Sequence, residues 1–220
     1  MKHATMLRFA AMAGALALSA TQAVAATIDW ATWTSRTTAT ISGGVNVTYA
    51  GEPSALLINL VSWTPTSTWA DGALIGNAPP RAGNMLVVRG GPNTGVNTIV
   101  FSQAITNPVF AIWSLGLFGT TASFDFDATP TFVAGGPNAE FGGAAISVAG
   151  QSVFGQTGNG SVVFGGTFTS IAWTNTAEDY YFTVGINGGT QVIPVPAAAW
   201  LLGSGLMGLL AFSRRRKVAA

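Results

Sequence analysis

From Ala26 to Ile193 the chain is cut into short apolar runs by Gly, Pro and Asn, and no interval between breaks carries the spacing of an amphipathic helix. Ile41, Val45, Val47 and Tyr49 alternate with small or polar residues, the period of a half-buried strand. Ala55 to Trp63 is a more continuous apolar run. Met85–Val88, Thr98–Ile105, Val109–Leu117, Ser123–Asp127, Thr131–Val133, Ala145–Val148, Ser152–Phe154, Ser161–Phe164, Thr169–Thr174 and Tyr180–Ile186 follow at short intervals. The breaks are Gly43-Gly44, Pro79-Pro80, Gly90-Gly91-Pro92-Asn93, Gly135-Gly136-Pro137-Asn138, Gly158-Asn159-Gly160 and Asn187-Gly188-Gly189. Gly and Asn reach turn dihedrals cheaply and Pro fixes one of them, so these clusters predict turns. About ten to twelve short strands predict an all-β body, an antiparallel β-sandwich of jelly-roll-like form.

The two ends have a different character. Residues 1–25 read as a secretory signal peptide: Lys2 and Arg8 form a positive start, Phe9 to Ala20 is apolar, and Ala23-Val24-Ala25 fits a small-x-small cleavage site. At the other end Ala197 to Ser213 is apolar and free of charge. Its 17 residues reach about 25 Å as a helix, enough for a short single transmembrane span. Arg214, Arg215, Arg216 and Lys217 follow at once and predict that this end stays on the cytoplasmic side. Pro194 and Pro196 precede the run and favour an extended, accessible backbone. Such a backbone beside a membrane suits the grip of a membrane-embedded protease. The chain is therefore expected to consist of a signal peptide (1–25), a sandwich body (26–193) and a C-terminal signal (194–217).

The body alone carries three arginines against eight acidic residues, a net charge of −5, although the whole chain is +1. Three scattered arginines make no patch for phosphate backbones, so nucleic acid is not an expected partner. The chain contains no cysteine, which removes disulfides, thiol catalysis and cysteine-held zinc. Its one histidine, His3, lies in the signal peptide, so a mature body has no Ser-His-Asp triad and no imidazole ligand.

Pro194-Val195-Pro196, the apolar run with Trp200 and Gly203-Ser204-Gly205, and the terminal basic cluster together resemble the PEP-CTERM sorting signal, nearest to its VPLPA-type variant. The resemblance covers the last 27 residues. It implies export through the secretion translocon, signal peptidase cleavage, transient anchoring in the inner membrane of a Gram-negative bacterium, and recognition by an exosortase, a membrane cysteine protease. The body would then be released to, or attached at, the cell surface. Val195 stands where the commoner form of the motif has Glu, which implies a variant processing enzyme.

Within the body the candidate sites are few. Asp125 and Asp127 flank Phe126, and a period of two places both carboxylates on one strand face, opposite Phe124 and Phe126. Two carboxylates are the start of a calcium site, but no Asp-x-Asp-x-Asp-Gly loop accompanies them, so a solvated strand face is the simpler expectation. No other metal or cofactor is expected. Glu178 and Asp179 precede Tyr180 in an expected turn. Trp113 and Trp173 sit in strand-like runs and are expected in the core. Trp30 and Trp33 are expected to clamp the new N-terminus to the sheet. Trp63 and Trp69, around Pro65 in a Ser/Thr-rich stretch, are the tryptophans best placed to be exposed and to stack on sugars. The expected function is that of an exported, surface-sorted, non-enzymatic protein associated with extracellular matrix or exopolysaccharide, in an adhesive or biofilm-type role. The alternatives are a secreted carbohydrate-active enzyme using carboxylates, such as a glycoside hydrolase working with Asp125, Asp127 or Glu178, and a structural subunit that polymerises through strand edges.

Overall fold

Val45–Ala50 forms a strand because its apolar residues fall on every second position: Val45, Val47 and Tyr49 are buried while Asn46, Thr48 and Ala50 face solvent. The same rule builds most of the molecule. The computed structural model describes residues 25–52, 54–57, 62–89, 95–176 and 179–188, without the side chains of Ser54, Leu57, Arg89 and Asp179. Outside them lie Ala23 and most of the expected signal peptide, Pro194-Val195-Pro196, the apolar run 197–213, the basic cluster 214–217, and Glu178.

The described residues form 16 strands. They are β1 (Ile28–Trp30), β2 (Thr32–Trp33), β3 (Thr38–Ile41), β4 (Val45–Ala50), β5 (Ser54–Leu57), β6 (Met85–Arg89), β7 (Asn97–Thr106) and β8 (Val109–Leu115), followed by β9 (Ala122–Phe126), β10 (Pro130–Gly135), β11 (Ala144–Ala145), β12 (Ser147–Ala149), β13 (Ser152–Gly155), β14 (Gly158–Phe164), β15 (Thr167–Asn175) and β16 (Asp179–Asn187). The first sheet runs β10-β14-β8-β16-β6-β5, with β1 also on β16 and β11 also on β14; the second runs β12-β13-β9-β15-β7-β4-β3-β2. Every strand pairing is antiparallel except the two-residue contact of β11 with β14. Among the described residues no helix is long and apolar enough to cross a membrane. The body is thus all-β, with two antiparallel sheets packed as a sandwich.

Aromatic rings fill the space between the sheets. Phe110, Phe164 and Phe182 from the first sheet meet Tyr49, Phe126 and Trp173 from the second. Phe126 and Phe164 are edge-on at 4.9 Å, Trp173 and Phe182 at 5.3 Å. Such pairs add about 0.5–1.5 kcal/mol each beyond their buried area. The N-terminal strands carry their own anchors, as expected: Trp33 Nε1 donates to Thr183 Oγ1 across the sheets (3.1 Å), and Trp30 Nε1 donates to the Asn77 carbonyl (3.2 Å).

A second cluster lies on the outer face of the first sheet. Residues of β8 are buried on both faces: Phe110 and Ile112 point into the sandwich, while Val109, Ala111 and Trp113 belong to the outer cluster with Trp63, Trp69 and Ile75. The segment 62–80 folds over that face. This corrects the expectation of exposed Trp63 and Trp69. Both are buried, with rings edge-on at 4.9 Å, and Trp69 Nε1 donates to the Ile112 carbonyl (3.1 Å). A Ser/Thr/Pro-rich stretch reads as a solvated loop, but here it is the lid of an apolar sheet face. Gly158-Asn159-Gly160 is also corrected: it is no turn but the start of β14, inside the sheet. A Cβ on Gly160 would lie 2.3 Å from the Ala134 carbonyl oxygen, so only glycine lets β10 and β14 approach there.

Register gives the sandwich two distinct ends. Val109 pairs with Val163 and Gly185 at one end, and near the other Leu115 pairs with Gly158 and Trp113 with Tyr181. Both ends of the described chain leave from the first of these, where the Gly188 N–H donates to the Thr27 carbonyl (2.8 Å). It is called the terminal end below, and the opposite one the far end.

Candidate functional site

Three chain crossings between the sheets meet at the far end, and polar side chains join them. Glu52 sits on the β4–β5 crossing, Asn97 opens β7 after the β6–β7 crossing, and Asn175 closes β15 before the β15–β16 crossing. The Asn97 Oδ1 accepts from the Tyr49 hydroxyl (2.5 Å) and the Glu52 backbone N–H (3.0 Å). Asn97 Nδ2 donates to Asn175 Oδ1 (2.6 Å), which also accepts from the Tyr180 hydroxyl (2.9 Å). Asn175 Nδ2 donates to Glu52 Oε2 (3.1 Å). All five residues are buried, and Glu52 Oε1 has no hydrogen-bond partner among the described residues. Gly51 makes the turn with φ +148°, where a Cβ would stand 2.4 Å from Asn97 Oδ1. Burial, and next the Glu52 carboxylate, push the Tyr49 phenol far above its ordinary pKa. Burial does the same to Tyr180, and the Tyr49 and Glu52 charges add to it against the indole N–H of Trp173. Chemically this is a buried knot of side chains that ties the flanks of three crossings together.

A second polar knot lies at the same end. Asn159 Oδ1 accepts from the Ser114 N–H (2.9 Å) and from Asn138 Nδ2 (3.0 Å). Its Nδ2 donates to the carbonyls of Gly136, Gly142 and Thr157 at 3.1–3.2 Å. Ser114 holds a positive φ of 56° at the point where the β8–β14 register shifts, so Asn159 satisfies a bulge that glycine would ordinarily occupy. Beyond this knot Leu117, Phe118 and Phe141 are exposed, Phe118 to 97% at the tip of a tight turn, and Val96 is exposed beside the first knot.

The residues singled out in the sequence do not converge. Asp125 and Asp127 do share the solvent face of β9 and its end, with Phe124 and Phe126 buried opposite. Asp125 accepts from Ser152 Oγ (2.5 Å) and Ser123 Oγ (3.1 Å), and Asp127 accepts from the Ala172 N–H (3.0 Å). Among the described residues no three His, Cys, Asp or Glu side chains come together as a metal site. Trp113 and Trp173 are core residues, as expected. Asn97 and Asn175 lie just outside the strand-like runs Thr98–Ile105 and Thr169–Thr174, and Asn159 lies in an expected turn, so no local pattern marks any of them as a joint between the sheets.

The terminal end holds the groove. A cavity of about 340 Å³ opens on the outer face of the first sheet. Val109, Val163 and Thr131 form its floor across three neighbouring strands, and Ile28, Leu74 and Ile75 form its apolar wall. Asp71 builds that wall: its Oδ1 accepts from the N–H groups of Ala73 (3.0 Å), Leu74 (2.8 Å) and Ile75 (2.9 Å). Slight burial raises the Asp71 pKa, but the bonds from Ile75, Ala73 and Leu74 lower it more, and the net shift is downward. Asn187, next to the last described residue, lines the groove as well. No protein-family model, curated protein or solved structure matches this chain.

Proposed function

We propose that this chain is an exported, surface-sorted, non-enzymatic sandwich protein that works in the extracellular matrix, in contact with exopolysaccharide. It would cross the inner membrane by the secretion translocon, lose residues 1–25 to signal peptidase, pause on the span 197–213, and be handled by an exosortase-type protease at Pro194-Val195-Pro196. One observation carries the reading: a secretory leader and a three-part sorting tail bracket a body without cysteine or histidine. The side-by-side exit of the chain at Thr27 and Gly188 fits it, because a tether at that end leaves the apolar tips of the far end pointing away from the membrane. From β4 onward the chain passes between the sheets at nearly every step, which supports a jelly-roll-like sandwich. The edges favour a dispersed protein over a polymerising subunit. Three of the four sheet edges are blunted: β2 has two residues, β12 has three, and β10 opens with Pro130 and carries an irregularity between Phe132 and Ala134. Deleting residues 194–220 tests the reading. Surface-exposed protein is expected to fall at least tenfold while export continues, and equal surface abundance of the truncated chain would refute the sorting role.

A further inference from the structure

We propose that the groove at the terminal end is the seat of this chain's own segment 189–196. Four observations converge on that occupant. First, the groove is lined by residues from both ends of the described chain, Ala26 and Ile28 from the start and Asn187, the strand partner of Ile28, from the finish, so whatever follows Gly188 starts at its rim. Second, the composition fits. Gly189-Thr190-Gln191 is a short polar spacer, and Val192, Ile193, Pro194, Val195 and Pro196 form an apolar run that needs cover and meets an apolar wall of Ile28, Leu74 and Ile75. Third, the lengths agree. From Asn187 on β16 to Thr131 on β10 is three strand spacings, about 14 Å. The six residues from Asn187 to Ile193 extend to about 20 Å. Fourth, the tether makes weak contacts sufficient. A linker of a few residues gives an effective concentration in the millimolar range, and the two prolines limit the freedom lost on docking. No free peptide or second copy of the chain has that advantage at ordinary concentrations.

Docking ties the apolar stretch to the sandwich and leaves Pro194 to Pro196 at the mouth of the groove rather than on a loose leash. It does not depend on the sorting role, since the contact forms whether or not the tail is later cut. The absence of cysteine makes the test clean. Thr131→Cys and Ile193→Cys are introduced together in the full chain, expressed in a bacterium that lacks a sorting protease. Thr131 is exposed, so the change spares the core. Thr167→Cys with Ile193→Cys is the comparison pair, at the same end but on the second sheet and outside the groove. Membranes are oxidised with copper phenanthroline and the cross-linked peptides identified by mass. The 131–193 link is expected to form within one molecule, at least tenfold faster than the 167–193 link. Adding Leu74→Asp, which puts a charge on the groove wall at an exposed position, is expected to slow it about tenfold. Equal rates for the two pairs, indifference to Leu74→Asp, or a link found only between copies would overturn the proposal, the last in favour of a second molecule as occupant.

Discussion

The two ends of the sandwich solve the same problem by opposite means. At the terminal end three links have only two or three residues: 107–108 between β7 and β8, 127–129 between β9 and β10, and 165–166 between β14 and β15. These links satisfy themselves locally. The Asn107 N–H donates to the Gly166 carbonyl (2.7 Å) and Asn107 Oδ1 accepts from the Gly166 N–H (2.9 Å), in plain contact with solvent. At the far end the residues that flank three crossings, Tyr49, Glu52, Asn97, Asn175 and Tyr180, are buried between the sheets. Buried Asn, Tyr and Glu side chains take over there. An unpaired buried polar group costs about 1–3 kcal/mol. The far end is therefore where single polar residues carry the most stability, and the terminal end is where the structure tolerates change and leaves a groove open.

The largest effect expected from this contrast is at Asn159. Asn159→Ala removes five hydrogen bonds around the Ser114 bulge and leaves buried N–H and C=O groups unpaired, at a cost of about 4 kcal/mol. Asn77→Ala is its counterpart at the terminal end. Asn77 also bonds both ways to a backbone, accepting from the Ile28 N–H (2.7 Å) and donating to its carbonyl (3.0 Å). Its site is only partly buried, water can replace it, and the expected cost is about 1 kcal/mol. Urea unfolding of both variants checks the pair. Equal losses would mean that the far end is not the more tightly specified one.

A middle-sized effect comes from alkali. Tyr49 and Tyr180 keep their protons in the far-end knot well past the ordinary phenol value of 10.0, while the same groups in the unfolded chain ionise near it. The folded state then binds more protons than the unfolded state above that pH. Stability is complete below about pH 10 and falls as pH rises, by up to about 1.4 kcal/mol per unit for each phenol. Thermal unfolding between pH 8 and 11 is expected to show this decline. Tyr180→Phe keeps the ring against Phe124 (4.3 Å) and is expected to lose about 1 kcal/mol at pH 7 but to flatten the alkaline slope. A slope unchanged by Tyr180→Phe would remove that phenol from the account.

The sequence shows the strands more plainly than the knots. Alternation at Val45, Val47 and Tyr49 reads directly as a half-buried strand, and β3 and β4 sit where it places them. The run Val109-Phe110-Ala111-Ile112-Trp113 says more than a strand, since apolar residues on both alternations require cover on both faces. That requirement, applied to Trp63 and Trp69, would have moved them from solvent to the outer layer. The local Ser, Thr and Pro content pointed the other way, and tertiary packing won. Glu52, Asn97 and Asn175 are a different case. Their partners lie 45 to 123 positions apart in the chain, and only the final register of two sheets brings them together. Gly158-Asn159-Gly160 has the composition of a turn, and its place in a strand follows from a bulge on β8 that no local pattern announces.

The smallest effect belongs to the terminal end and concerns Asp71. Its carboxylate holds Ala73, Leu74 and Ile75 by their N–H groups and so shapes the groove wall. The folded pKa lies below the ordinary aspartate value of 3.8, so the unfolded chain takes up the proton first as pH falls. The contribution is therefore present above about pH 4 and is lost as pH drops through the lower folded value. Asp71 is largely exposed, and screening by water keeps the effect on overall stability small. The sensitive readout is local. Amide exchange at Ala73, Leu74 and Ile75 is expected to be several-fold faster in Asp71→Ala than in the parent at pH 6, with no change at Phe110 or Phe182 in the core. Asp71→Asn keeps one accepting oxygen and is expected to fall between the two, because a neutral amide accepts more weakly than a carboxylate. If all three chains exchanged alike at these amides, the groove wall would owe its shape to Leu74 and Ile75 packing alone.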